Sequence, residues 1–106
     1  GIVELPVEWI MDDAPLFNPQ GNAYMNPRDV ARVWIDEFDR AWAEGTMFLL
    51  TMHPHITGHR SRIVALELFL AHIRKLPKGT VWFGTHAQAA DYVRVGAKLG
   101  DPSGGR

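Results

Sequence analysis

No cysteine occurs in the 106 residues, so disulfides and thiolate metal sites are excluded and a reducing compartment fits. No uninterrupted apolar run comes near the ~20 residues that a membrane span requires. The opening GIVELPVEW has neither a basic segment nor a cleavage site, so no signal peptide is expected and the chain reads as cytoplasmic. Excess charge of either sign is missing too. Basic residues number 11 and acidic ones 12, leaving −1 with histidines neutral. That balance argues against a general nucleic-acid partner or an anionic membrane surface. What is present, 46% hydrophobic and 22% charged residues, is ordinary for a soluble globular protein. The length allows one small domain.

Periodicity supplies the elements. Residues 2–7, IVELPV, are short and rich in β-branched side chains, which predicts a buried strand. Residues 8–25 then form a long connection with two prolines and a glycine, of the kind that often carries function. Asn26 followed by Pro27 is a side-chain cap with proline at the first helical position. Val30, Trp34, Phe38 and Trp42 follow at i, i+4 spacing, with Val33 and Ala41 beside them. They predict a helix over 27–44 that ends at Gly45, with this stripe as core. TMFLLTM, residues 46–52, predicts a second strand covered on both faces. A second amphipathic helix follows over 62–76, with Ile63, Leu66, Leu70 and Ile73 toward the core. TVWF, residues 80–83, predicts a third strand. Thr85 with Gln88 has the form of a capping box opening a last helix through about Arg94.

The order β-α-β-α-β-α implies an α/β fold with parallel strands and right-handed crossovers. Three strands fall short of a closed barrel, which needs about eight and typically ~250 residues. The chain also enters an apolar run by Ile2. The expectation is the C-terminal portion of a (β/α) barrel over residues 1–95, with 96–106 as a disordered tail. The chain is expected to associate with itself or with the missing barrel half. A different class of reading is a free-standing α/β binding module that completes its sheet by oligomerising.

Parallel α/β folds gather their chemistry at the carboxyl ends of strands. Those ends carry Glu8, Trp9, Asp12 and Asp13; then His53, His55, His59, Arg60 and Arg62; then Thr85 and His86. His53 directly follows an apolar strand and precedes Pro54, which holds it extended. It can exchange a proton near neutrality, or simply hydrogen-bond a neighbouring backbone. His55 and His59 have the H-x-x-x-H form of a metal pair, but Pro54 and Gly58 argue against the helix this motif needs; the alternative is a solvated loop. Asp12 and Asp13 could bind a cation or act as an acid–base pair. Adjacent carboxylates more often divide into one buried and one turn-capping group. Trp9 either lines a pocket or packs. Arg60 and Arg62 either pair with Asp12, Asp13 or a substrate, or stand solvated at a helix start.

Taken together, VELPVEWIMDDAP, then LLTMHPHITGHRSR, then VWFGTHAQAADYV, resemble the C-terminal part of the polysaccharide deacetylase (NodB-homology) family. The branch is the one with peptidoglycan-deacetylase-like and allantoinase-like members. The resemblance implies a deformed (β/α) barrel that hydrolyses a non-peptide C–N bond, in an N-acetylated saccharide or a cyclic amide. It implies a divalent metal, usually zinc, whose ligands lie outside this chain. It makes His53 the general acid toward the departing nitrogen and Trp9, Asp12, Asp13 and Arg62 the residues that shape the pocket. HITGH is then a look-alike of a metal motif that belongs upstream, and His59 stands where relatives often carry arginine.

Overall fold

The computed structural model describes residues 2–17 and 25–99. The chain divides into two units, Val7–Val81 and the paired flanks Gly1–Pro6 with Trp82–Arg106.

In the larger unit a single 3-10 turn, Trp9–Met11, leads into α1 (Asp13–Leu16). The dominant helix is α2, Pro27–Glu44, bounded as the sequence predicts. The Asn26 side chain accepts a hydrogen bond from the Arg28 backbone N–H at 2.9 Å. At the other end Gly45 adopts φ +70°, the left-handed cap that costs glycine least. After a one-turn helix α3, Pro54–Thr57, comes α4, Ile63–Arg74. The chief packing is α2 against α4.

Aromatic rings form the centre of that packing. Trp34 meets Phe17 and Phe69 edge-on at 6.5 and 6.3 Å, and Phe69 stacks on Phe48 at 5.3 Å. Such pairs add about 0.5–1.5 kcal/mol each beyond the area they bury. At the surface His72 on α4 reaches Asp39 on α2 at 2.7 Å, an exposed pair of the kind worth about 0–1 kcal/mol.

Several expectations need correction. Residues 2–7, 46–52 and 80–83 carry no strand ladder among the described residues. Thr51 pairs in parallel with Asp12, and that bridge is isolated. Apolar, β-branched composition gives a segment strand propensity, but a ladder also needs a second backbone about 4.8 Å away. Among the described residues the helical part of the expected alternation is present, with one parallel bridge. Within 46–52, Phe48 and Leu50 pack on the core while Met47 and Met52 are exposed, so this segment is not covered on both faces.

On α2, Val30, Trp34 and Phe38 are buried, whereas Trp42 is 42% exposed. It sits in the last turn of the helix. On α4 the expected Ile73 is buried, but with it are Ala65 and Phe69 rather than Ile63, Leu66 and Leu70, and Leu70 faces out. This helix is apolar nearly all round, so periodicity does not choose its face; the rings of Trp34, Phe38 and Phe48 choose Phe69.

In the flanking unit α5 spans His86–Leu99, running past Arg94. Its start is the reciprocal capping box: Thr85 N–H donates to Gln88 at 2.9 Å and Gln88 N–H to the Thr85 hydroxyl at 3.1 Å. Of the expected tail, residues 100–106 lie outside the described residues, as do 18–24 of the long connection.

Candidate functional site

Asp12 is extended, and its backbone neighbours knit to Thr51: Thr51 N–H donates to the Met11 carbonyl at 2.9 Å and Asp13 N–H to the Thr51 carbonyl at 3.0 Å. This bridge sets the Asp12–Asp13 pair beside the end of the apolar segment, where His53 follows. Asp12 then caps α1, its carboxylate accepting from Ala14 N–H at 3.0 Å. Helix geometry turns the next side chain, Asp13, inward.

Asp13 is completely buried, and an ionised carboxylate there is tolerable only if hydrogen-bonded. Three donors meet it. The His53 backbone N–H donates to Oδ2 at 2.8 Å, the Thr57 hydroxyl donates to Oδ2 at 2.6 Å, and His53 Nδ1 lies 2.6 Å from Oδ1. An ionised carboxylate only accepts, so Nδ1 carries the proton of that short bond. The ring's other nitrogen, Nε2, is left to exchange a proton, and the side chain is 39% exposed.

Burial alone would raise the Asp13 carboxyl, but the hydrogen bonds from His53 and Thr57 and the imidazole's charge outweigh it, and the group is held below its ordinary value. The hydrogen bond to Asp13 raises His53 above the usual imidazole value; partial desolvation opposes this, and the charges of Asp13 and Asp12 add to it. His53 therefore stays charged to higher pH than a free imidazole.

The two adjacent carboxylates divide as one buried and one capping group. Asp12 lies 3.8 Å from His53 Nδ1, too far for a hydrogen bond. Trp9 is 67% exposed on the 3-10 turn. Arg62 braces the histidine loop, donating to the Ile56 carbonyl at 3.0 Å and lying over the Phe17 ring at 5.5 Å.

Residues 54–57 form one helical turn, with Pro54 well placed at its first position and Gly58 ending it, so HITGH as a whole is not a helix. His59 falls outside that turn, and its ring bonds the His55 carbonyl at 3.2 Å, within the loop. The His55 ring stands edge-on to that of His53, with centroids 5.7 Å apart. Thr57 is the residue that sequence reasoning missed. Its one signal is a hydroxyl a helical turn beyond His53, and nothing in the sequence pairs it with a residue 44 positions earlier.

No protein-family profile matches the chain. Over 100 residues it is 29% identical to a peptidoglycan deacetylase of Helicobacter pylori, across 88% of this chain and 34% of that protein. A solved structure from Mycobacterium smegmatis, assigned as a polysaccharide deacetylase, matches it with a TM-score of 0.74 and 28% identity over the same shares, 88% and 34%. The chain resembles polysaccharide deacetylases. It spans about a third of the length of each of these two. The resemblance extends to the fold of the solved deacetylase, across most of this chain.

Deacetylases of this kind raise the question of a metal. Asp12, Asp13 and His53 offer ligand atoms that all lie within 4.8 Å of one another. As they stand, these atoms are already committed. Both Asp13 oxygens accept from protein donors, and the 2.6 Å contact between His53 Nδ1 and Asp13 Oδ1 leaves no space for an ion between them. A metal with ligand bonds of about 2.0–2.2 Å would hold its donor atoms farther apart. As it stands, the triplet is hydrogen-bonded to itself and does not fit a metal cage.

No helix among the described residues is long and apolar enough to cross a membrane.

Proposed function

We propose that this chain is part of a hydrolase that deacetylates N-acetylated saccharides, and that His53 is its general acid. The observation that carries the reading is the His53 ring, anchored at Nδ1 on the buried carboxylate of Asp13 while the side chain stays 39% exposed. Amide hydrolysis needs such a group, because an amine leaves poorly unless its nitrogen is protonated. Water adds to the acyl carbon, the C–N bond breaks, and its electron pair takes the Nε2 proton. One water proton restores the imidazolium and the other passes from the new carboxyl to the amine, giving acetate and an ammonium group. Asp13, ionised throughout, stabilises the charged ring and holds its orientation. Trp9 and Arg62 belong to the surrounding wall on this reading. The divalent cation that the resemblance implies is held by residues outside this chain.

The test is His53→Ala in the full-length hydrolase that carries this segment. The variant should lose about 10²–10⁴-fold in kcat, the usual worth of one positioned proton donor, with metal content unchanged. His55→Ala should lose far less, because among the described residues no carboxylate anchors that ring. Equal losses would show that the roles within HPH are misassigned. A His53→Ala protein that unfolds would make His53 a structural residue.

A further inference from the structure

We infer that Thr57 is a positioning residue for the proton donor, holding the Asp13 carboxylate in the one rotation that serves the His53 ring. The inference rests on the reading of His53 as the acid. Its starting point is an anomaly of burial. Thr57 is 3% exposed and sits beside Ile56, which is also buried. A valine would fill the same volume without the cost of burying a hydroxyl. The hydroxyl instead donates to Asp13 Oδ2 at 2.6 Å, alongside the His53 backbone N–H at 2.8 Å, and leaves Oδ1 to the His53 ring at 2.6 Å. With two donors on one oxygen and one on the other, turning the carboxylate would break all three bonds.

The Thr57 backbone N–H also donates to the His53 carbonyl at 2.9 Å. One helical turn therefore holds both the ring and the hydroxyl that aims its partner. The hydroxyl also draws on the charge that the imidazole feels. The groups facing His53 are Asp13 and Asp12 from the start of α1 and the His55 ring from α3. Among them Thr57 acts only through Asp13.

The experiment is an NMR titration of His53 in the full chain and its variants. Thr57→Val keeps the shape and deletes the donor. With one hydrogen bond removed, Asp13 becomes a stronger acceptor, and the His53 pKa should rise by roughly half a pH unit, a fraction of what one hydrogen bond to a charged group is worth. Thr57→Ser, which keeps the hydroxyl, should titrate with the parent. In the full-length hydrolase the alkaline limb of the kcat/KM profile should move up with it, while KM stays. If Thr57→Val misfolds, Thr57→Ala repeats the test without pressing a methyl on the carboxylate. An unchanged or lowered His53 pKa in the variant that folds would overturn the role of Thr57. A parent His53 that titrates at or below the ordinary imidazole value would instead sink the dyad itself, so the two failures are distinguishable.

Discussion

Asp13→Asn is the substitution that most directly probes the site. It preserves shape, removes the charge, and turns one accepting oxygen into a donating NH₂. Three donors converge on the native carboxylate: His53 N–H and the Thr57 hydroxyl on Oδ2, and the His53 ring on Oδ1. Asparagine can satisfy the Oδ2 pair with its carbonyl. Its NH₂ then faces Nδ1, so the ring must give up its Nδ1 proton and become the Nε2–H tautomer. Charge-assisted bonds are worth about 1.5–3 kcal/mol against about 1 for neutral ones, and a buried unmatched group costs about 1–3 more. One bond reversed and all three weakened from charge-assisted to neutral come to about 2–4 kcal/mol.

The loss should depend on pH, and its sign follows from the two shifts. His53 is raised above 6.5, so its contribution is complete below that value and disappears as pH climbs through the raised one. Asp13 is lowered from 3.8, so its contribution holds above that value and is lost as acid titrates the native carboxylate. The charged pair therefore stabilises most between the two. Urea unfolding of parent and variant should differ more near pH ~5.5 than near pH ~8.5. NMR should find the His53 pKa of the variant below the parent's. A pH-independent difference, or a His53 pKa that ignores the loss of the carboxylate, would refute the coupling of these two side chains.

Two further outcomes test the frame around the site. Gly58→Ala places a Cβ against the Pro54 carbonyl oxygen, which should cost about 1–3 kcal/mol and disturb the turn that carries His53, seen as lost stability together with a shifted His53 resonance. Phe69→Ala should cost about 3–5 kcal/mol because Trp34, Phe38 and Phe48 all lean on that ring. Leu70→Ala, one residue on but 41% exposed, should cost about 1 kcal/mol or less. Comparable losses at 69 and 70 in denaturant titrations would mean that α4 presents a different face.

How far these features could be read from the sequence depends on whether their causes are local. The bounds of α2 could be, because Asn26, Pro27 and Gly45 act within a turn of themselves: a side chain satisfying an orphan N–H, a fixed φ, a left-handed cap. The capping box at Thr85 and Gln88 is local in the same way. The face of α4 was not legible, since apolar residues surround that helix and only the partner rings decide which of Phe69 and Leu70 turns inward. The strands were not legible either. Residues 46–52 have every local mark of one, yet pairing is a property of two backbones, and among the described residues only Thr51 and Asp12 supply it.

The site combines both cases. That His53 differs from His55 and His59 follows from order alone, since it is the first polar residue past an apolar run and precedes a proline. What the ring would bond was hidden, because the partner lies 40 residues earlier and arrives through a single backbone bridge. The choice between the two aspartates is decided at that bridge. Asp12 pairs with Thr51, caps α1 and keeps its side chain partly solvated, and a helix started there must turn Asp13 toward the interior. Burial then makes Asp13 the stronger partner, since a carboxylate shut away from water must draw its stabilisation from the donors it touches. Asp12, 3.8 Å from the ring and shared with solvent, can influence the charge on His53 but cannot fix its orientation. A carboxylate that caps and a carboxylate that orients are thus the same dipeptide, separated by one residue of helix geometry.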